Sequence, residues 1–125
     1  MSLRFGTDGV RGVANTELTP TYALALGAAV VDAFDAAEVV IGVDTRRSGS
    51  MLAAALSAGV ASAGADAVEL EVIPTPVVAR EAWVRGVPGV MVSASHNPFG
   101  DNGLKVFGPS GQKLSDAAQN RIEAT

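Results

Sequence analysis

The run Glu38-Val39-Val40-Ile41-Gly42-Val43-Asp44 restricts the fold more than any other part of the chain. It is apolar throughout its middle and rich in β-branched residues, with no polar alternation. That is the pattern of a strand buried on both faces. Such a strand needs helices on each side, and the flanking sequence supplies them. Before it, Thr19-Pro20 places an N-cap residue ahead of a proline at the first helical position. Tyr22, Leu26, Val30 and Phe34 then recur every four residues, with Leu24 and Val31 widening the stripe. A helix is therefore predicted to about Ala36. After the strand, a second helix is predicted from about Ser50 to Ala63, with Leu52, Leu56 and Val60 on one face and Gly64 at its stop. Its alanines and Gly59 make it thin enough to lie close on a sheet.

The alternation continues. Ala67 to Ile73 reads as a strand. Pro74-Thr75-Pro76 repeats the Thr-cap, Pro-first pattern, opening a third helix that runs to Gly86 with Trp83 as core filling. Pro88 to Ser93 is the next strand and 94–103 its loop. Leu104-Lys105-Val106-Phe107 is a short strand joined so tightly that it should run antiparallel. A turn at 108–111 leads to a last helix, capped by Ser115 and extending to Thr125. The glycine-rich stretch 3–16 reads as a shaped loop rather than a regular element. The expected fold is α/β: three layers, α/β/α, around a mostly parallel four-stranded sheet whose last short strand is antiparallel.

With 125 residues, 48% hydrophobic and 18% charged, residues 1–125 are expected to form one domain with one packed core. The net charge of -4 and the lack of any basic cluster beyond Arg46-Arg47 argue against a nucleic-acid partner. No stretch approaches the ~18 apolar residues of a membrane span, so no membrane partner is expected. Cysteine is absent and the first residues lack a secretion-signal pattern, which together point to the cytoplasm.

In a sheet of this kind, ligands gather at the carboxyl ends of the strands. Two chemically rich loops leave such ends, 44–49 and 93–103, and the glycine loop 6–12 could reach the same edge. Within Val90-Met91-Val92-Ser93-Ala94-Ser95-His96-Asn97-Pro98, a buried strand passes into a stiff turn, because Pro98 biases Asn97 away from the helical region. A stiff turn holds a hydroxyl in place, and Ser95 is the candidate. The competing reading is a turn and nothing more.

A hydrolase triad fits poorly. The surroundings are not Gly-x-Ser-x-Gly, and His96, the sole histidine, is adjacent to Ser95 and points away from it on extended backbone. Phosphoryl transfer fits better, since it needs positioning, cations and donors. Arg11, Arg46, Lys105 and His96 could supply positive charge around a phosphate on Ser95; Asn97, Asn102 and the glycine-loop amides could supply neutral donors. A solvated loop charge is the competing reading for the two arginines. Neither a Walker loop nor Gly-x-Gly-x-x-Gly is present.

Five ordered motifs resemble the α-D-phosphohexomutases: Phe5-Gly6-Thr7-Asp8-Gly9-Val10-Arg11-Gly12, Asp44-Thr45-Arg46-x-Ser48-Gly49, Pro74-Thr75-Pro76, Ser93-Ala94-Ser95-His96-Asn97-Pro98 and Asp101-Asn102-Gly103-Leu104-Lys105. The wording is most similar to the phosphoglucosamine mutase branch. The resemblance implies that Ser95 is a phosphoserine that hands its phosphate to a hexose monophosphate and recovers another from the bisphosphorylated sugar. It implies catalytic roles for Ser95, Lys105, His96 and Arg11, and phosphate or substrate contacts from Thr7, Gly9, Arg46, Asn97 and Asn102. It also implies Mg²⁺ held through the Ser95 phosphate, with its remaining ligands outside this chain. Family members have four domains, and the resemblance covers only the first, so an isolated chain is expected to be inactive. The missing mutase domains are its expected partners, and a homodimer is left open. A non-catalytic sugar-phosphate-binding or assembly module is the alternative from another class, and a phosphomannomutase/phosphoglucomutase is the alternative within the family.

Overall fold

The computed structural model describes residues 10–14, 18–46, 48–93, 101–111 and 122. Along the chain these form β1 (Val10–Val13), α1 (Pro20–Phe34), β2 (Glu38–Val43), α2 (Gly49–Ser62), β3 (Asp66–Val72), α3 (Thr75–Arg85), β4 (Gly89–Val92) and β5 (Asp101–Phe107). The predicted last helix lies outside the described residues except for Ile122, which is helical and buried.

Local chemistry explains where the helices start and stop. The Thr19 hydroxyl accepts a hydrogen bond from the amide of Tyr22 at 3.1 Å, and Pro20 follows at the first helical position. α1 stops where Asp35 turns left-handed, with φ 49°. Gly86, at φ 67°, ends α3 in the same way at lower steric cost. The proline motif before α3 works differently from the expectation. Pro74 occupies the cap position without a side-chain bond, and Thr75 is already helical.

The strands lie in the order β1-β5-β4-β2-β3. β4, β2 and β3 are parallel, and β5 runs antiparallel to β4, as expected. Two features go beyond the expectation. β5 begins at Asp101 rather than Leu104, and a fifth strand, β1, pairs antiparallel along its outer side with Arg11 opposite Gly103. Residues 10–13, read as loop, therefore form an edge strand. Towards the end of β3 the register shifts against β2 and Glu71 takes a positive φ of 67°, the mark of a bulge.

The sheet has a core on each face. Val39, Ile41, Val90, Val92, Leu104 and Val106 pack with the buried stripes of α1 and α2, while Val40, Met91 and Phe107 pack with Val78 and Ala82 of α3. The alternation along β2 places Val39 and Ile41 on one face and Val40 on the other, which confirms a strand covered on both sides. Tyr22, Leu26, Val30 and Val31 are buried as predicted, but Leu24 is 44% exposed. It lies two positions from both Tyr22 and Leu26, about 200° round the helix from each, so it cannot share their face. Trp83 is also corrected: it is 64% exposed rather than core filling. The buried line of α3 is Val78 and Ala82, and position 83 is about 100° off that line.

Candidate active site

The carboxyl ends of β2 and β4 lie side by side, with Val43 opposite Val92, Val92 opposite Leu104, and Leu104 opposite Val10. The next row out is polar. The Asp44 amide donates to the Val92 carbonyl at 3.2 Å, and the Ser93 amide donates to the Gly103 carbonyl at 2.9 Å. Gly103 in turn faces Arg11 of β1. The sheet thus brings the 44–48 loop, the exit of β4, the start of β5 and the backbone of Arg11 into one row, although they are far apart in sequence.

Asp44 is the centre of this row. Its Oδ1 accepts from the Arg46 amide at 3.0 Å, closing a tight turn of the Asx type. Its Oδ2 accepts from Arg46 Nε at 2.9 Å and from Ser93 Oγ at 2.8 Å. Arg46 is only 7% exposed. A guanidinium at that depth is tolerated because the carboxylate pairs with it, since an unpaired buried charge would cost several kcal/mol. The hydrogen bond from Nε holds the head group in a defined orientation, which a surface arginine lacks.

A second junction lies beside the first. Asn102 is fully buried; its Nδ2 donates to Ser48 Oγ at 2.9 Å and its Oδ1 accepts from the Gly103 amide at 2.9 Å. Ser48 stands at the N-cap of α2 but makes no side-chain cap bond. Its hydroxyl serves the junction with β5 instead. Asn102, expected as a phosphate donor, is therefore engaged inside the domain, tying β5 to the start of α2.

Lys105 lies two residues beyond Gly103 on β5, opposite Met91. Its Nζ stands 5.6 Å from the centroid of the Phe107 ring, within cation–π range. Its backbone is about 7 Å along the strand from Gly103, at ~3.4 Å per residue. Ser95, His96, Asn97, Thr7 and Gly9 lie outside the described residues, as does the side chain of Arg11. Among the described residues no group of three carboxylate, histidine or cysteine side chains could hold a metal ion. The only metal ligand expected from this chain, a phosphate on Ser95, is also outside them. Among the described residues no helix is long and apolar enough to cross a membrane.

Asp44, Ser48 and Ser93 were not among the expected site residues. A signal for Asp44 was available: it is the first polar residue past a doubly buried strand, at the edge where ligands gather, with an arginine two positions on. Ser93 carries no such signal, because only the pairing of β4 with β2 brings its hydroxyl to Asp44.

Comparison with known proteins agrees with this architecture. Residues 2–125 match the family model described as phosphoglucomutase/phosphomannomutase, alpha/beta/alpha domain I. A protein of Mycobacterium ulcerans named phosphoglucosamine mutase is 53% identical over 131 residues, spanning 99% of this chain and 29% of its own length. One of the same name from Mycolicibacterium smegmatis is 51% identical over 138 residues, spanning 98% of this chain and 30% of its own length. The chain thus spans under a third of the curated relatives it matches. Among solved structures, a Thermus thermophilus protein assigned as a phosphomannomutase superimposes with a TM-score of 0.90 at 32% identity, over 99% of this chain and 30% of that one. A phosphoglucomutase/phosphomannomutase family protein of Burkholderia thailandensis gives 0.82 at 30% identity, over 96% of this chain and 29% of that one. With the match running from residue 2 to residue 125, the chain belongs to the phosphoglucomutase/phosphomannomutase family and represents its alpha/beta/alpha domain I.

Proposed function

We propose that this domain carries the phosphoserine, Ser95, of a mutase that interconverts hexose 6-phosphate and 1-phosphate, with glucosamine phosphate as the sugar. The relatives named phosphoglucosamine mutase support the choice of sugar. The observation that carries the reading is the double tie on Ser93, whose amide bonds Gly103 and whose hydroxyl bonds Asp44. The chain enters the Ala94-Ser95-His96 segment from a point held between the Arg46 loop and the strand next to Arg11. A nucleophile leaving an anchored strand end, with a buried arginine beside that anchor, suits transfer between phosphate esters, where positioning and positive charge supply most of the rate.

In the forward step a hydroxyl of the hexose monophosphate attacks the phosphorus on Ser95. The bond from phosphorus to the serine oxygen breaks, and the hydroxyl proton passes by way of a base, for which Lys105 is the candidate, to the departing serine oxygen. In the return step the Ser95 hydroxyl gives its proton to the same base and attacks the other phosphate of the bisphosphorylated sugar, whose ester bond breaks and whose oxygen takes up that proton. Arg11, His96, Arg46, Thr7, Gly9 and Asn97 bind phosphate or sugar in this reading, and a Mg²⁺ ion, if held through a phosphate on Ser95, would supply charge neutralisation there. This chain offers no further metal ligand in the reading, so the cation's other contacts, like the sugar-recognition surface, belong to the remaining mutase domains.

The test is covalent labelling. The chain is incubated with glucose 1,6-bisphosphate and its intact mass is measured, with fragmentation to locate the adduct. A gain of about 80 Da on Ser95, absent from Ser95→Ala, supports the reading. A Ser95→Ala chain that still gains the phosphate points to a sugar-phosphate-binding module or to another acceptor instead. Mutase turnover by the chain alone is expected to be negligible, because a cleft closed on one side neither orients the sugar nor excludes water.

A further inference from the structure

We propose that Asp44 is a positioning residue, which sets the point from which the Ser95 segment leaves the sheet by gripping Ser93. The inference rests on the reading of Ser95 given above. The Asp44 carboxylate takes three hydrogen bonds: from the Arg46 amide at 3.0 Å, from Arg46 Nε at 2.9 Å and from Ser93 Oγ at 2.8 Å. Two of them fold the 44–46 turn back on itself and orient the arginine. The third crosses 49 positions of sequence to the residue just past β4. One carboxylate thereby couples the placement of a buried cation to the placement of the strand end that precedes Ser95. Neither bond alone would do so, because the Ser93 amide fixes only its backbone against Gly103.

The geometry of the shared oxygen makes the coupling specific. Oδ2 accepts from both Arg46 Nε and Ser93 Oγ, so the two donors converge on one atom. An asparagine offers a single acceptor oxygen. If that oxygen keeps the Arg46 amide bond, its NH₂ group meets the arginine donor head-on. Ser93→Ala removes the third bond and leaves the Asp44–Arg46 pair whole, so it tests the grip without stranding a buried charge. Ser93→Thr restores a hydroxyl at the same position. A shift of about 1 Å in a reacting group lowers a rate by up to about a hundredfold.

The experiment compares the wild-type chain with Ser93→Ala, Ser93→Thr and Asp44→Asn by amide hydrogen exchange at residues 93–96 and by the rate of phosphate uptake from glucose 1,6-bisphosphate. In Ser93→Ala and Asp44→Asn, exchange at these amides is expected to rise about tenfold or more. In Ser93→Ala the maximal uptake rate is expected to fall about tenfold, with the half-saturating bisphosphate concentration within about twofold of wild type, because the Asp44–Arg46 pair stays whole; Asp44→Asn also releases Arg46, so both quantities are expected to change there. Ser93→Thr is expected to recover both within about threefold. A purely architectural role would move the melting temperature and leave the ratio of the two kinetic quantities alone. Unchanged exchange in Ser93→Ala overturns the proposal, and so does faster exchange with wild-type uptake. Where the wild-type chain takes up no phosphate, the grip of Asp44 on the strand end is decided by exchange alone.

Discussion

The two faces of the sheet are covered in different ways. On one, α1 and α2 cross so closely that their backbones touch. A β-carbon built on Gly27 would stand 2.4 Å from the Leu56 carbonyl oxygen, and one on Gly59 would stand 2.0 Å from that of Leu24. The contact is reciprocal, glycine against carbonyl in both directions. On the other face, α3 buries only Val78 and Ala82 and leaves Val77, Trp83 and Val84 exposed. The deep layer holds most of the large fully buried side chains, including Leu18, Leu52, Leu56 and Val60. Stability should therefore be concentrated in the α1–α2 layer. The strands carrying the polar row lie between the two layers and rest on the stronger one through Val92 and Leu104.

The largest effects should come from that layer. Leu56→Ala is expected to destabilise the domain by about 3 kcal/mol, since it removes a fully buried side chain and leaves a cavity. A urea melt read by circular dichroism measures it. Gly59→Ala sharpens the comparison further, because two effects oppose each other there. Alanine improves helix propensity by about 1 kcal/mol. The added methyl would also overlap a backbone oxygen, which has no rotamer to move out of the way. Forcing the helices apart should win, for a net loss of about 2 kcal/mol. A stabilised Gly59→Ala chain would show that the close crossing is unimportant. The smallest effect is expected on the opposite face. Trp83→Ala should change stability by no more than about 0.5 kcal/mol, as for other surface positions. A loss there comparable to that of Leu56→Ala would erase the distinction between the faces.

The polar edge shows a third regime, in which few groups carry much consequence. Arg46 and Asn102 are buried polar residues held by named partners, so a single deletion strands another group. That makes the edge stiff without making it a large contributor to stability. Stiffness at a strand end suits a segment that must present a nucleophile, whereas α3, with its exposed apolar residues, meets no such demand within this domain.

Several elements were legible from residue order. The Thr19-Pro20 start of α1 is local chemistry and appears as read. The doubly buried β2 follows from an apolar run, and the parallel order follows from the alternation of helix and strand. The carboxyl edge was singled out as the candidate site because two motif-bearing loops leave it, and the described polar row of Asp44, Ser93 and Gly103 lies along it. Other features were not legible. β1 is only Val-Arg-Gly-Val, and nothing within it marks a strand; its pairing with β5 makes it one. Trp83 looked like core by type, but burial depends on what lies beneath a side chain, and position 83 faces outward while its neighbour Ala82 is buried. The Asp44–Ser93 bond joins residues that no spacing rule relates.

By itself the sequence determined the helices α1 to α3, the strands β2 to β5, their alternation and the family, because periodicity, caps and motif wording act over a few residues at a time. The tertiary structure decided which polar groups meet: that Asp44 holds both Arg46 and Ser93, and that Asn102 is spent on Ser48 rather than left open. The physical reason is that a hydrogen bond has a reach of about 3 Å. Only the register of β2, β4 and β5 brings segments so distant along the chain within that reach.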